Sequence, residues 1–208
     1  MSETKDFMAM PVSEFVACTA AKTATPGGGS IAGVAGALGT ALGEMALNFT
    51  RGKKKFADHE AFYTRLGERL ERARGMFQDL VADDVQAYQL YQQATRQDDG
   101  PEKDEAVQLA TAAAIHVPRE TAKLALAIMD DMKALADKCN PYLITDLLAA
   151  GALLAATVRL SDYNVRVNVP NLTDKAAAAD IKQGSADDLA RAIALLDEIE
   201  ALGAVHLP

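Results

Sequence analysis

Tryptophan is absent from this chain of 208 residues, and aromatic residues make up only 5% of it, so a core built on stacked rings is excluded. Half of the residues are nevertheless apolar, and that core must therefore be assembled from Ala, Leu, Val, Ile and Met. Ala-rich interiors belong to closely packed helices, because alanine has the best helix propensity and permits short interaxial distances. There are only two cysteines, Cys18 and Cys139, with no CxxC pair. Buried free thiols are expected rather than a redox centre or disulfide framework. The three histidines, His59, His116 and His206, are scattered, with no HExxH and no acid or cysteine at ligand spacing, so no metal site is expected. No GxSxG or Cys-His pairing points to nucleophilic catalysis.

Positive charge is also short. The formal net charge is −8, which argues against a nucleic-acid binder held by phosphate contacts. The first ten residues carry acids and no long apolar run, so no signal peptide is read. Residues 31–43 are apolar, but Glu44 stops them short of the ~20 residues that a membrane span needs. The expectation is a cytoplasmic protein with no membrane partner. No segment shows period-two alternation of β-branched residues, so the chain is read as all-α.

What is present is helical punctuation. Residues 11–21 read as a short amphipathic helix and residues 30–50 as a second. A third, capped by Asp58, reaches about Arg96, with Leu66, Leu70, Ala73, Phe77, Leu80 and Tyr88 on its apolar side. Gln97-Asp98-Asp99-Gly100-Pro101 is a turn. A fourth helix runs from Glu102 to about Lys138, with Pro118 expected to kink or break it. A fifth, nearly free of charge, spans residues 142–168 and should be central. The tail reads as a helix from Thr173 and, after Gly184, another capped by Ser185 and ending near Gly203. Together these make a single-domain helical bundle over residues 1–208, with long central helices.

The chemistry candidates begin with Thr25-Pro26-Gly27-Gly28-Gly29-Ser30. Gly27, Gly28, Gly29 and Ser30 lead straight into a helix, whose free N–H groups and positive dipole end suit an anion or polar ligand. A P-loop needs Lys-Ser/Thr after its last glycine, and Ser30-Ile31 stands there, so NTP binding is excluded. The remaining readings are a ligand cradle or a tight turn with close helix packing. Gly29, Gly33, Gly36, Thr40 and Gly43 recur every three or four residues, a stripe whose cost must be offset by packing, a ligand or a symmetry partner. Lys53, Lys54 and Lys55 form a basic patch at the far end of that helix, either a solvated cap or a landing site for an anionic tail.

Asp84 lies one turn before Tyr88, so the carboxylate and the phenol share a helix face. The apolar stripe through Val81 and Val85 turns either Asp83 or Asp84 inward, or both edge a solvated face. Asn140, Thr145 and Asp146 flank the start of the fifth helix, as cap residues or as part of a site. Asn164 and Asn168 share a face near its other end, satisfying backbone or lining a polar pocket. This vocabulary of carboxylate, lysine, hydroxyl and amide suits acid–base chemistry on a substrate that carries its own electrophile.

With these residues in place, the chain resembles the cyclodeaminase / methenyltetrahydrofolate cyclohydrolase family, which includes the C-terminal domain of formiminotransferase-cyclodeaminase. The resemblance rests on Thr25-Pro26-Gly27-Gly28-Gly29-Ser30, Gly36-Ala37-Leu38-Gly39 with Ala41-Leu42, and Thr50-Arg51-Gly52-Lys53-Lys54-Lys55-Phe56. It continues through Asp84-Val85-Gln86-Ala87-Tyr88, Val117-Pro118, Asn140 with Thr145-Asp146, and residues 164–168. Phe56, Tyr88 and Thr145 stand where the family pattern has Tyr, Phe and Ser, so a hydrogen-bonding role for Tyr88 is particular to this chain. The resemblance implies an all-helical homodimer with a folate pocket near the subunit interface, and no cofactor beyond the tetrahydrofolate substrate itself.

Two reactions are implied: hydration of 5,10-methenyltetrahydrofolate to 10-formyltetrahydrofolate, which is favoured for a chain without a formiminotransferase portion, or closure of 5-formiminotetrahydrofolate with loss of ammonia. A non-catalytic folate binder or helical dimerisation module is the reading from another class. In the cyclohydrolase reading Asp84 is the general base or the electrostatic partner of the substrate cation, with Asp146 as second candidate. Lys53, Lys54 and Lys55 suit the glutamate tail of a folate, including a polyglutamylated one. The asparagines and Asp side chains suit the pterin edge.

Overall fold

The computed structural model describes residues 6–206. Six α-helices follow in order: α1 (Val12–Ala20), α2 (Gly28–Asn48), α3 (Glu60–Thr95), α4 (Pro101–Ala136), α5 (Ile144–Asn168) and α6 (Lys175–Ala204). Short 3-10 turns at Phe7–Ala9, Lys54–His59, Pro141–Leu143 and Val169–Asn171 punctuate them, and no strand occurs among the described residues. Helices α2 to α5 run up and down as a bundle, and α6 packs across α4 and α5. Helix α5 touches α2, α4 and α6, the central place that its lack of charge implied. By length and composition both α2 and the stretch containing α5 could cross a membrane; here they pack against each other inside the bundle.

The core joins Leu47 of α2, Tyr63, Leu70 and Phe77 of α3, Met129, Met132 and Leu135 of α4, Leu147 and Leu154 of α5, and Ile199 of α6. Burying each such side chain stabilises the fold by roughly 1.5–3 kcal/mol. The glycine stripe of α2 is spent here. A Cβ on Gly33 would lie 2.6 Å from Val81 Cγ2, and one on Gly36 would lie 2.5 Å from the Phe77 ring. A Cβ on Gly43 would meet Met132 Sδ at 2.4 Å. The stripe therefore seats α3 and α4 of the same chain, rather than a second subunit or a flat ligand.

Several boundaries differ from the sequence reading. The tail is one helix. Its N-cap is Asp174, whose side chain accepts from the amides of Ala176 and Ala177. Gly184 sits inside it, and Ser185 caps nothing: it is buried, and its hydroxyl donates to Asp162 Oδ1 at 2.8 Å. Glycine costs α6 about 1 kcal/mol, less than is recovered by burying Ala192, Leu195 and Ile199 on the same helix. Pro118 does not break α4, which continues unbroken through it. Asp58 does not cap α3, because the 3-10 turn Lys54–His59 runs directly into that helix. Thr145 and Asp146 lie in the first turn of α5, whose start carries no side-chain cap.

Two glycine substitutions should have opposite signs. Gly184→Ala meets nothing within 4 Å and should stabilise the protein by about 0.5–1 kcal/mol in guanidinium unfolding. Gly36→Ala gains the same propensity but drives a methyl into a fully buried ring, and should destabilise it by roughly 1–3 kcal/mol.

Candidate active site

Helix α2 begins at a residue that cannot cap it. Gly27 is its N-cap and has no side chain, so the first amides depend on an outside acceptor. Asp84, from the antiparallel α3, supplies one. Its Oδ2 accepts from the Ser30 hydroxyl at 2.8 Å, and the Ser30 amide also favours the charged form of the carboxylate. The approach is possible only because residue 29 is glycine: a Cβ there would lie 1.9 Å from Asp84 Oδ1. Burial pushes the Asp84 carboxyl above the usual carboxylate range, against the smaller opposing pull of the Ser30 hydroxyl and amide. No lysine or arginine pairs with Asp84 among the described residues. Asp83 faces solvent, which settles which of the two acids turns inward.

A cavity of about 280 Å³ opens beside this carboxylate, lined by Asp84, Ala87, Tyr88 and Tyr91 of α3, Ala114 and Val117 of α4, and Asn164, Val167 and Asn168 of α5. Four residues singled out in the sequence thus meet at one wall-to-wall site. Asn164 Nδ2 donates to Leu160 O at 2.8 Å, and it lies 3.3 Å from where a Cβ on Gly28 would be. Asn168 Nδ2 donates to Asn164 O at 2.8 Å and to Ala114 O at 3.4 Å. The second acceptor has a specific origin. A proline at position 118 has no N–H, so the carbonyl four residues earlier, that of Ala114, loses its helical donor. The asparagine amide takes the vacant place. Both amide nitrogens are committed to backbone, leaving the Oδ1 acceptors without a donor among the described residues.

The other candidates gather elsewhere. Lys53, Lys54 and Lys55 are exposed around the 3-10 turn beyond the C-terminus of α2. A helix of 21 residues is about 30 Å long at 1.5 Å per residue, so these lysines lie at the opposite end of the bundle from Asp84. Asn140 is at that end too, buried, with Nδ2 donating to Phe49 O at 3.2 Å and Oδ1 accepting from the Tyr142 amide at 3.3 Å. Its backbone amide donates to Thr50 Oγ1 at 3.0 Å, which ties α2 to the α4–α5 connection. Thr145 is exposed and Asp146 half-buried, on the first turn of α5 at the same end.

Some residues of the site carried little signal. Tyr91 and Gln92 continue the face of Asp84 and Tyr88 by one further turn, and Gln92 Nε2 donates to Tyr88 Oη at 2.8 Å. The i, i+4 spacing from Tyr88 was the clue. Outside the cavity, the buried Asp162 pairs with Arg166 one turn along α5 at 3.4 Å, but its bond from Ser185 had no local clue, because Ser185 is on another helix.

A family model described as Formiminotransferase-cyclodeaminase matches residues 11–187, a span that contains every candidate site residue. The chain belongs to that family. A methenyltetrahydrofolate cyclohydrolase from Methylorubrum extorquens is 31% identical over 193 residues, covering 90% of this chain and 93% of that protein. A formimidoyltransferase-cyclodeaminase from Gallus gallus is 29% identical over 178 residues, and the match covers 33% of that longer protein. The solved structure of a formiminotetrahydrofolate cyclodeaminase from Thermotoga maritima superposes with a TM-score of 0.88 at 26% identity, covering 95% of this chain and 98% of that one.

The raised Asp84 carboxyl gives a stability test. In the unfolded chain it titrates near 3.9, and in the fold it titrates higher, so the fold favours the protonated form. The stabilising contribution of that form is complete below about pH 4 and is lost as pH rises through the folded value. Asp84→Asn keeps an acceptor for Ser30 without the charge. The variant should therefore melt above the parent protein at pH 7, with the difference closing toward pH 4 in thermal scans.

Proposed function

We propose that this protein hydrolyses 5,10-methenyltetrahydrofolate to 10-formyltetrahydrofolate. The observation that carries the reading is a half-buried carboxylate without a cationic partner among the described residues, facing a cavity lined by a phenol and two asparagines. The methenyl bridge is a delocalised amidinium cation, and such a cation supplies the missing positive charge. The relative from Methylorubrum extorquens, matched along nearly its whole length, bears the name of this activity.

In this reading the bicyclic end of the folate enters the cavity, with the free Oδ1 atoms of Asn164 and Asn168 accepting from the pterin. Water bonds to the bridging carbon as Asp84 takes one of its protons, and the amidinium π electrons move onto nitrogen. The bond from that carbon to N5 then breaks, its electron pair stays on N5, and N5 takes the proton from Asp84. The added oxygen releases its remaining proton to solvent and becomes the formyl oxygen on N10. One proton is released overall, and the carboxylate is restored. The bridge is already electrophilic, so the carbon needs no further activation before water attacks.

The lysine patch fits this reading in a homodimer. One folate cannot span the ~30 Å of α2, but a two-fold axis perpendicular to α2 would set the two copies of that helix antiparallel, bringing one subunit's lysine end to the other's glycine end. Exposed Leu38 and Phe49 on α2 and Tyr142 beside it offer apolar surface for such a contact. A polyglutamate tail would then meet Lys53, Lys54 and Lys55 across the interface.

Side-by-side assays of methenyl- and formiminotetrahydrofolate test the activity. Loss of methenyl absorbance well above the uncatalysed rate is expected, falling at least 100-fold in Asp84→Asn; ammonia release from the formimino compound alone overturns the assignment in favour of cyclodeaminase. A second assay mixes Asp84→Asn with a variant carrying alanine at Lys53, Lys54 and Lys55, using polyglutamylated substrate at low concentration. Subunit exchange should restore about a quarter of wild-type activity if the tail is held across a two-fold interface, and nothing above the separate proteins if it is not.

A further inference from the structure

Tyr88 is joined to Gln92 by a hydrogen bond whose direction matters. Gln92 Nε2 donates to Tyr88 Oη at 2.8 Å, so the phenolic oxygen is the acceptor in that bond. A phenol has one proton to give, and no acceptor receives it among the described residues. Tyr88 lines the same cavity as Asp84, one helical turn away, with Cβ atoms about 5–6 Å apart. Both side chains therefore face the same space, a cavity of about 280 Å³. Gln92 is half-buried and lies outside the cavity wall.

We infer that Gln92 is a positioning residue that holds Tyr88 as a hydrogen-bond donor toward the substrate oxygen, beside the carboxylate of Asp84. The inference rests on the cyclohydrolase reading above. In the tetrahedral adduct the added oxygen loses its second proton as the bond from carbon to N5 breaks, and negative charge grows on that oxygen before the formyl double bond forms. A donor fixed in place beforehand stabilises that charge without reorganising. Tyr88 transfers no proton in this step; it donates a hydrogen bond only. Asp84 accepts the proton, and Tyr88, one turn along the same helix face, donates to the oxygen that is left. Without the amide of Gln92 the hydroxyl is free to turn, and part of the donor population points away.

A double-mutant cycle on kcat for the methenyl compound tests this. Tyr88→Phe should lower kcat by about 100-fold while KM changes by less than about threefold. Gln92→Glu places a carboxylate where the amide donates, so it accepts the phenolic proton and turns the donor away from the substrate; its kcat should fall to the level of Tyr88→Phe. The double variant Tyr88→Phe/Gln92→Glu should be no slower than either single one, because the two residues act as a unit. Gln92→Leu, of similar volume and without charge, should lose less than Gln92→Glu. Each variant should keep the wild-type circular-dichroism melt. Multiplicative losses in the double variant, or wild-type kcat in Gln92→Glu, overturn the inference while an inactive Asp84→Asn leaves the reading of the reaction standing. A wild-type protein that leaves the methenyl compound unaltered overturns both.

Discussion

The carboxylate of Asp84 fills the space that a side chain on Gly29 would need, and bonds to Ser30 where α2 has no cap of its own. Much of the structure follows from this contact. It requires α3 to run antiparallel to α2 at close range, which in turn requires glycine again at positions 33 and 36, where Val81 and Phe77 press in. It draws the carboxylate toward a helix N-terminus, whose dipole stabilises the anion that burial disfavours. The result is a carboxylate held firmly by its own chain but lacking a cation among the described residues. A site of that kind is complementary to a positive ligand before any ligand arrives.

Helices α2 to α5 were legible because each signal was local. Apolar periodicity, the turn at Gly100-Pro101 and the Asn-Pro break after Cys139 all act within a few residues of where they are written. That Asp83 or Asp84 could turn inward was legible for the same reason, through the apolar stripe of Val81 and Val85, but which of the two does so was not. Nor was the contact of Asp84 with Gly29, since a gap between helices is a property of two segments far apart in the chain. The same holds for α6. Gly184 and Ser185 look like punctuation, yet the bond from Ser185 to Asp162 and the apolar face beyond it keep the helix whole.

The basic patch teaches a different lesson. Its distance from Asp84 was already implicit in the 21 residues of α2, because an α-helix is a ruler. Grouping residues by chemistry placed lysines, Asn140, Asp146 and Asp84 around one imagined substrate; the rise per residue divides them between two ends. Asn140 illustrates the cost of reading a polar residue as a ligand contact when backbone can claim it. Its amide serves Phe49 O, and its carbonyl serves the Tyr142 amide. The second, independent end of the bundle is thus held by polar joints rather than left over from the first.

Pro118 removes one hydrogen bond from the middle of α4, and the carbonyl it leaves free receives the side chain of Asn168 in the cavity wall. A programme that selects only for heat resistance would be drawn to this position, since replacing an internal proline is among the simplest ways to strengthen a helix. The replacement would close the vacancy from within α4 and compete with Asn168 for the same carbonyl. The gain in the scaffold and the loosening of the site would come from a single bond changing hands, so robustness and function are opposed here at one atom, Ala114 O.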